Sequence, residues 1–285
     1  MAEALVGSRY SLHVAHRGAN ERKFAPDYHA IHPGDRELDA PSDDPVGYVH
    51  SYEVGSIADG PGLRFVVFLT GCPLRCAYCH SPDTWHKFNG HPVTVARLAK
   101  TIRTYAAALR RPDGGVRFSG GEPLMQPTFL MAIARRCRHD GLHTCLDTSG
   151  HLGTCLTDDD LASFDLHLLD IKAGDPGTHE RVTHQPLAPT LEHARRLSTL
   201  RRPMWIRYPL VPGLTDAYDN VEQCADFCGT LQAVERVEIP RFHQMGRSKW
   251  ERLGLAYPVA DVAPPAAELV ARVAGQFRSR GLTVC

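Results

Sequence analysis

The chain has 285 residues, 43% of them hydrophobic and 22% charged, and its 32 basic side chains balance 32 acidic ones. That length can bury one large α/β domain or two small ones, while the balanced charge gives no cationic surface to draw nucleic acid or anionic lipid, so neither is expected as a partner. No apolar run approaches the roughly 20 residues of a membrane-spanning helix and the N-terminus lacks a secretory pattern, so the expected location is the cytoplasm.

Residues 1 to about 45 are rich in His, Gly, Pro, Asp and Arg and hold neither a helical nor a strand period. They predict a flexible extension, closed by the linker Asp39-Ala-Pro-Ser-Asp-Asp-Pro45. From residue 46 to 285 short apolar runs alternate with amphipathic ones, the pattern of a βα series with a mainly parallel sheet. Strands are expected over Leu63 to Leu69, Val116 to Ser119, His143 to Asp147, His167 to Ile171, Trp205 to Val211 and Val234 to Ile239. Helices are expected near Val95 to Leu109, Pro127 to Arg138, Thr157 to Phe164, Leu187 to Leu200, Asn220 to Leu231 and Pro264 to Arg280. Six βα units fall short of a closed TIM barrel, so the fold class is α/β with a partial (β/α)6 TIM-like barrel; an open doubly wound sheet is the competing architecture.

In either fold, chemistry collects where strands run out at their carboxyl ends. The polar motifs sit there: a cysteine loop after the first strand, Ser119-Gly-Gly-Glu122 after the second, Asp147-Thr-Ser-Gly150 after the third and Asp170-Ile-Lys172 after the fourth. That common edge predicts one composite site.

Nine cysteines, odd in number and irregularly spread, predict thiols in a reducing compartment. Gly71-Cys72-Pro-Leu-Arg-Cys76-Ala-Tyr-Cys79-His80 gathers three of them within eight residues. Soft sulfur ligands suit an iron–sulfur cluster or zinc, and three thiolates on a four-iron cube would leave one iron open. Structural zinc, with His80 or the Cys224 and Cys228 pair completing the shell, is the alternative from these residues alone. Otherwise that pair, four apart on a helix, reads as core.

The paired glycines Gly120 and Gly121 let backbone approach a ligand, or simply make a turn. Asp170 and Lys172, two apart, project to one face and bind a ligand or satisfy each other. Asp147 and Thr148 offer hard oxygens to a cation, or cap the turn that follows. His243 lies just past the last strand, and Arg207 on the fifth is a weaker candidate for a ligand or a bound peptide.

The CxxxCxxC loop followed by His80-Ser-Pro-Asp-Thr-Trp85 and preceded by Asp59-Gly-Pro-Gly-Leu-Arg64 resembles the glycyl radical enzyme-activating family of radical S-adenosylmethionine enzymes. The likeness runs from about Val49 to near Leu282. It implies one 4Fe-4S cluster on Cys72, Cys76 and Cys79, with Tyr78, His80, Gly120, Gly121, Glu122, Asp170, Ile171, Lys172 and His243 contacting S-adenosylmethionine. Within that set, the Gly-Gly-Glu turn would hold the amino end of the cofactor, and Asp170 and Lys172 its ribose and carboxylate. The resemblance further implies a monovalent cation, sodium or potassium, among Asp147, Thr148, the Leu168 carbonyl and Asp170. The implied reaction is reductive cleavage of S-adenosylmethionine to methionine and a 5′-deoxyadenosyl radical, which takes hydrogen from a glycine of a partner protein.

Relatives serving other radical enzymes carry a second cysteine-rich insert before the Gly-Gly-Glu turn. Here residues 80–120 hold no cysteine, which favours a single cluster and a formate-lyase-type glycyl radical enzyme as protein substrate; the resemblance further implies flavodoxin or ferredoxin as electron donor. A radical enzyme acting on a small molecule, and a zinc-stabilised redox-sensing binding protein, are the other readings. Ser81 stands where the family commonly has Asn, and His184 where it has Gly.

Overall fold

The computed structural model describes residues 43–56, 62–111 and 114–285. The expected extension lies outside these residues apart from 43–45, as do Asp59, Gly60 and Pro61 of the segment before the first expected strand. Eight strands form one sheet among the described residues: β1 (Val46–Ser56), β2 (Arg64–Leu69), β3 (His91–Thr94), β4 (Gly115–Gly120), β5 (Thr144–Thr148), β6 (Leu166–Asp170), β7 (Met204–Arg207) and β8 (Val234–Glu238). The helices are α1 (Val95–Thr104), α2 (Ala106–Leu109), α3 (Pro127–His139), α4 (Asp158–Leu161), α5 (Pro176–Thr183), α6 (Ala188–Thr199), α7 (Tyr218–Gly229), α8 (Arg247–Arg252) and α9 (Ala267–Arg278).

The spatial order is β3-β1-β2-β4-β5-β6-β7-β8. From β2 to β8 the six strands pair in parallel and in chain order. With no reversal of order, right-handed crossovers carry the connecting helices to one face, whereas a doubly wound sheet reverses at a switch point and is covered on both. The fold is therefore the open (β/α)6 half-barrel, with β3 and β8 as its edges.

Two antiparallel strands escaped sequence reading. β1 pairs with β2 and with β3, but register shifts at Val49/Ser51 and Val54/Ser56 break its apolar alternation, and β3 is four residues long with Pro92 in it. The short helices α5 and α8 were also missed. Asp175-Pro-Gly reads as a turn, yet Asp175 caps α5 by accepting from the Thr178 amide at 2.8 Å, with Pro176 in the first turn.

Alternation along the strands separates two cores. Val116, Phe118, Leu146, Leu169, Ile206 and Val237 face the helices and join the large cluster with Leu98 and Ile102 of α1 and Phe277 of α9. Each such side chain contributes about 1.5–3 kcal/mol through burial. The positions between them face the concave side, where Cys145, Leu166, Leu168 and Trp205 make a small apolar floor. Two residues further along the same strands, Asp147, Asp170 and Arg207 stand above that floor.

Candidate active site

The cysteine loop follows β2 and has no regular structure, so its backbone must be satisfied from elsewhere. Cys72 donates its amide to the Trp85 carbonyl at 3.1 Å, Arg75 to Thr183 at 2.8 Å and Ala77 to Val182 at 2.9 Å. The Gln185 side-chain amide donates to the Pro73 carbonyl at 3.0 Å, and the Trp250 indole to the Cys79 carbonyl at 2.8 Å. Arg75 bonds the carbonyls of Cys72 and Leu74 and lies over the Trp85 ring, 5.0 Å from its centroid. The loop is thus shaped chiefly by residues about 100 positions downstream of it.

All three cysteines are free thiols. Burial pushes the Cys76 thiol up to about 12, although Lys172 pulls the other way, and burial raises Cys72 and Cys79 as well. Thiolates here need a positive partner, which an iron–sulfur core supplies. Among the described residues no three His, Cys, Asp or Glu side chains close around one point as a single metal ion requires. Cys224 and Cys228, the pair offered for a zinc shell, are buried on α7 in the helix-facing core.

Opposite the loop lies the strand edge. Lys172 donates to Asp170 at 2.7 Å. Burial works against the Lys172 charge, but Asp170 and the nearby Tyr78 and Cys76 more than offset it and hold the ammonium well above its usual range. Arg207, in register with Asp170, reaches 3.6 Å from Asp147 and 3.5 Å from Glu238. Asp147 also accepts from Arg117 at 2.6 Å and from the Ser119 hydroxyl at 2.5 Å. Burial would raise its carboxyl, yet the two guanidinium groups override that and hold it at about 2.

A cavity of about 240 Å³ joins the two sides. Cys72, Cys76, Tyr78, Cys79 and His80 line it from the loop; Gly120, Gly121, Asp147, Thr148, Asp170 and Lys172 line it from the strand ends. The glycines are required by packing as well as by any ligand: a Cβ on Gly120, whose φ is +125°, would stand 2.1 Å from the Leu69 carbonyl oxygen, and one on Gly121 2.5 Å from that of Gly71.

Four expected residues stand away from the cavity wall. Glu122 is buried beneath it, accepting from Thr148 and Ser149 hydroxyls at 2.7 and 2.6 Å and from the Ser149 and Leu124 amides at 2.9 and 3.2 Å. Leu168 is in the concave floor. Ile171 is buried in the helix-facing core. His243 is exposed and stacks on His80 with ring centroids 4.2 Å apart.

Arg117 and Trp250 went unread, and of the segment 182–185 His184 was noted without a role. Arg117 did leave a signal, a charge between Val116 and Phe118 in an otherwise apolar strand, which requires a buried partner.

A sequentially wound half-barrel with three thiols at the carboxyl edge of its first parallel strand defines a class of cluster-bearing α/β enzymes, and the Radical SAM superfamily pattern matches residues 66–228. The pyruvate formate-lyase-activating enzyme of Staphylococcus epidermidis is 41% identical over 235 residues, covering 79% of this chain and 92% of that protein. A solved domain of pyruvate-formate lyase-activating enzyme from Bacteroides vulgatus superposes with a TM-score of 0.51 at 26% identity, covering 60% of this chain and 97% of the other. SuiB of Streptococcus suis shares the fold at 15% identity, with a TM-score of 0.60 and coverage of 77% and 47%. The chain belongs to the radical SAM superfamily and, within it, to the pyruvate formate-lyase-activating enzymes. Its cofactors are accordingly a 4Fe-4S cluster and S-adenosylmethionine, and the three thiols, Cys76 buried and Cys72 and Cys79 half-buried, facing a paired lysine and aspartate fit them.

Proposed function

We propose that this chain activates pyruvate formate-lyase by generating a glycyl radical on it, and that residues 46–285 are the working domain. The observation that carries the reading is one cavity bounded by Cys72, Cys76 and Cys79 on one side and by Gly120, Gly121, Asp170 and Lys172 on the other. When bound, the cluster and S-adenosylmethionine supply the reductive cleavage and the radical that takes hydrogen from a glycine α-carbon.

The protein's task is to bind and position. Cys72, Cys76 and Cys79 would hold the cluster. The Lys172 ammonium would meet the cofactor carboxylate, Asp170 its ribose, and the Gly120-Gly121 backbone its amino end, with Tyr78 and His80 lining the same wall. Ile171 and His243 would contribute backbone or rim contacts. Glu122 acts one layer below, holding Thr148 and Ser149 in place through three hydrogen bonds. No general base is needed, because hydrogen leaves as an atom. Flavodoxin or ferredoxin is the proposed electron donor and the cytoplasm the proposed location. The oxygens expected to hold sodium or potassium fit such an ion poorly: Asp147 is paired with Arg117, Asp170 with Lys172, and the Thr148 hydroxyl donates to Glu122.

The test mixes anaerobically reconstituted protein, S-adenosylmethionine, a reductant and pyruvate formate-lyase, and records the electron paramagnetic resonance spectrum. A glycyl radical doublet on the lyase is the expected result. Formation of 5′-deoxyadenosine with a small metabolite, and no signal on the lyase, would move the chain to another radical reaction.

A further inference from the structure

Asp147 is buried on the concave face at the heart of the cavity wall, and the sequence alone suggested a metal cation there. The structure puts a side chain in that place. β4 and β5 run in register with Arg117 beside Cys145 and Phe118 beside Leu146, so Arg117 lies diagonally across from Asp147 on the same face, within reach of a long side chain. Its guanidinium donates to Asp147 Oδ2 at 2.6 Å, and Ser119 Oγ donates to the same oxygen at 2.5 Å. Both partners are nearly shut off from solvent, Arg117 at 3% and Asp147 at 8% exposure.

The carboxylates of this wall already have cationic partners: Asp147 is paired with Arg117 and Arg207, Asp170 with Lys172, and Glu238 with Arg207. A metal ion on Asp147 would stand beside the Arg117 guanidinium, 2.6 Å from the same carboxylate, at low dielectric, where like charges repel strongly. We infer that Arg117 is the built-in counter-ion of Asp147, standing in for a monovalent metal, so that this cavity assembles without sodium or potassium. A guanidinium suits the role because it is permanently charged and cannot leave the strand that carries it. Arg117 is a positioning residue: it acts through Asp147, keeping that carboxylate from drawing Arg207 and Lys172 out of the cavity wall.

The inference rests on the cavity being the S-adenosylmethionine site, and two measurements keep the ideas apart. S-adenosylmethionine binding to anaerobic holoenzyme, and the thermal midpoint of the apoprotein, are measured at equal ionic strength in tetramethylammonium, sodium or potassium chloride. For the natural chain both should be indifferent to the cation. Arg117→Met should bind the cofactor about tenfold or more weakly in tetramethylammonium, and potassium should restore both affinity and midpoint, since an ion that binds only the folded state stabilises it. Arg117→Lys should behave as the natural chain does. A natural chain whose affinity or midpoint rises with potassium overturns the inference, and so does a folded Arg117→Met variant unaffected in tetramethylammonium or unresponsive to potassium. Should that variant not fold, the ion series on the natural chain decides alone. If the natural chain binds no S-adenosylmethionine in any salt, the cavity reading fails, and the apoprotein midpoint still reports on the counter-ion.

Discussion

The two walls of the cavity are built by opposite means. The cysteine loop has no ladder of its own; its shape comes from hydrogen bonds with the nearby Trp85 and with Val182, Thr183, Gln185 and Trp250 from distant parts of the chain. The strand edge is set by its ladder, because parallel register places Asp147, Asp170 and Arg207 on one face, with Glu122 holding Thr148 and Ser149 from below. A borrowed shape depends on groups remote in sequence, whereas a register-held shape depends on charge balance among neighbours. Substitution should therefore disturb the loop through packing and the edge through electrostatics.

The largest effect should come from the loop itself. Cys76→Ala removes one of the three thiols proposed to hold the cluster, and since even outer partners of a metal site typically account for 10–100-fold, the loss of glycyl radical should exceed about 100-fold; iron content per chain and the radical signal read it together. Undiminished radical formation would remove the basis for the cluster assignment.

Acid should strike both walls at once. Burial lowers His179 on α5 and His193 on α6 to about 4, with Lys172 and His151 adding to the effect on the former and Arg196 on the latter, and burial with His193 lowers His167 on β6 to about 3. These folded values lie below the unfolded value near 6.5, so below that pH the unfolded chain binds more protons. Stability intact above pH 6.5 is lost as pH falls toward 4, by up to about 1.4 kcal/mol per pH unit for each histidine. Urea unfolding at pH 7 and pH 5 checks this, and equal midpoints would contradict it. His179→Asn should flatten part of the dependence.

Glu122→Ala tests whether the strand edge is held from below. It strands the donors of Thr148 and Ser149 in a buried site and should destabilise by roughly 3 kcal/mol, with Glu122→Gln recovering part of the loss because it retains an acceptor. Chemical denaturation measures both. The smallest effect belongs to the loop's anchor. His184, at the end of α5, has φ of 60°, a left-handed conformation that favours glycine. His184→Gly should leave the site intact and raise stability by up to about 1 kcal/mol, visible as a small rise in thermal midpoint; a fall would show that the imidazole itself holds the loop.

Much of this protein was determined by local sequence. Six parallel strands, their helices and their polar carboxyl ends follow from period and turn chemistry, because a buried parallel strand must be apolar and a helix facing it amphipathic. The three cysteines announced themselves because thiols have no packing reason for that spacing. Tertiary structure alone decided the rest. The bulged β1 became a strand through its pairing with β2 and the short β3 through its pairing with β1, the anchoring of residues 73–77 by residues 182–185 joined segments far apart in sequence, and Arg117 met Asp147 only once β4 and β5 lay in register. Such contacts are long-range and their energies depend on burial, which no local pattern encodes; a lone arginine in a strand signals that a partner must exist, and only the folded sheet says which.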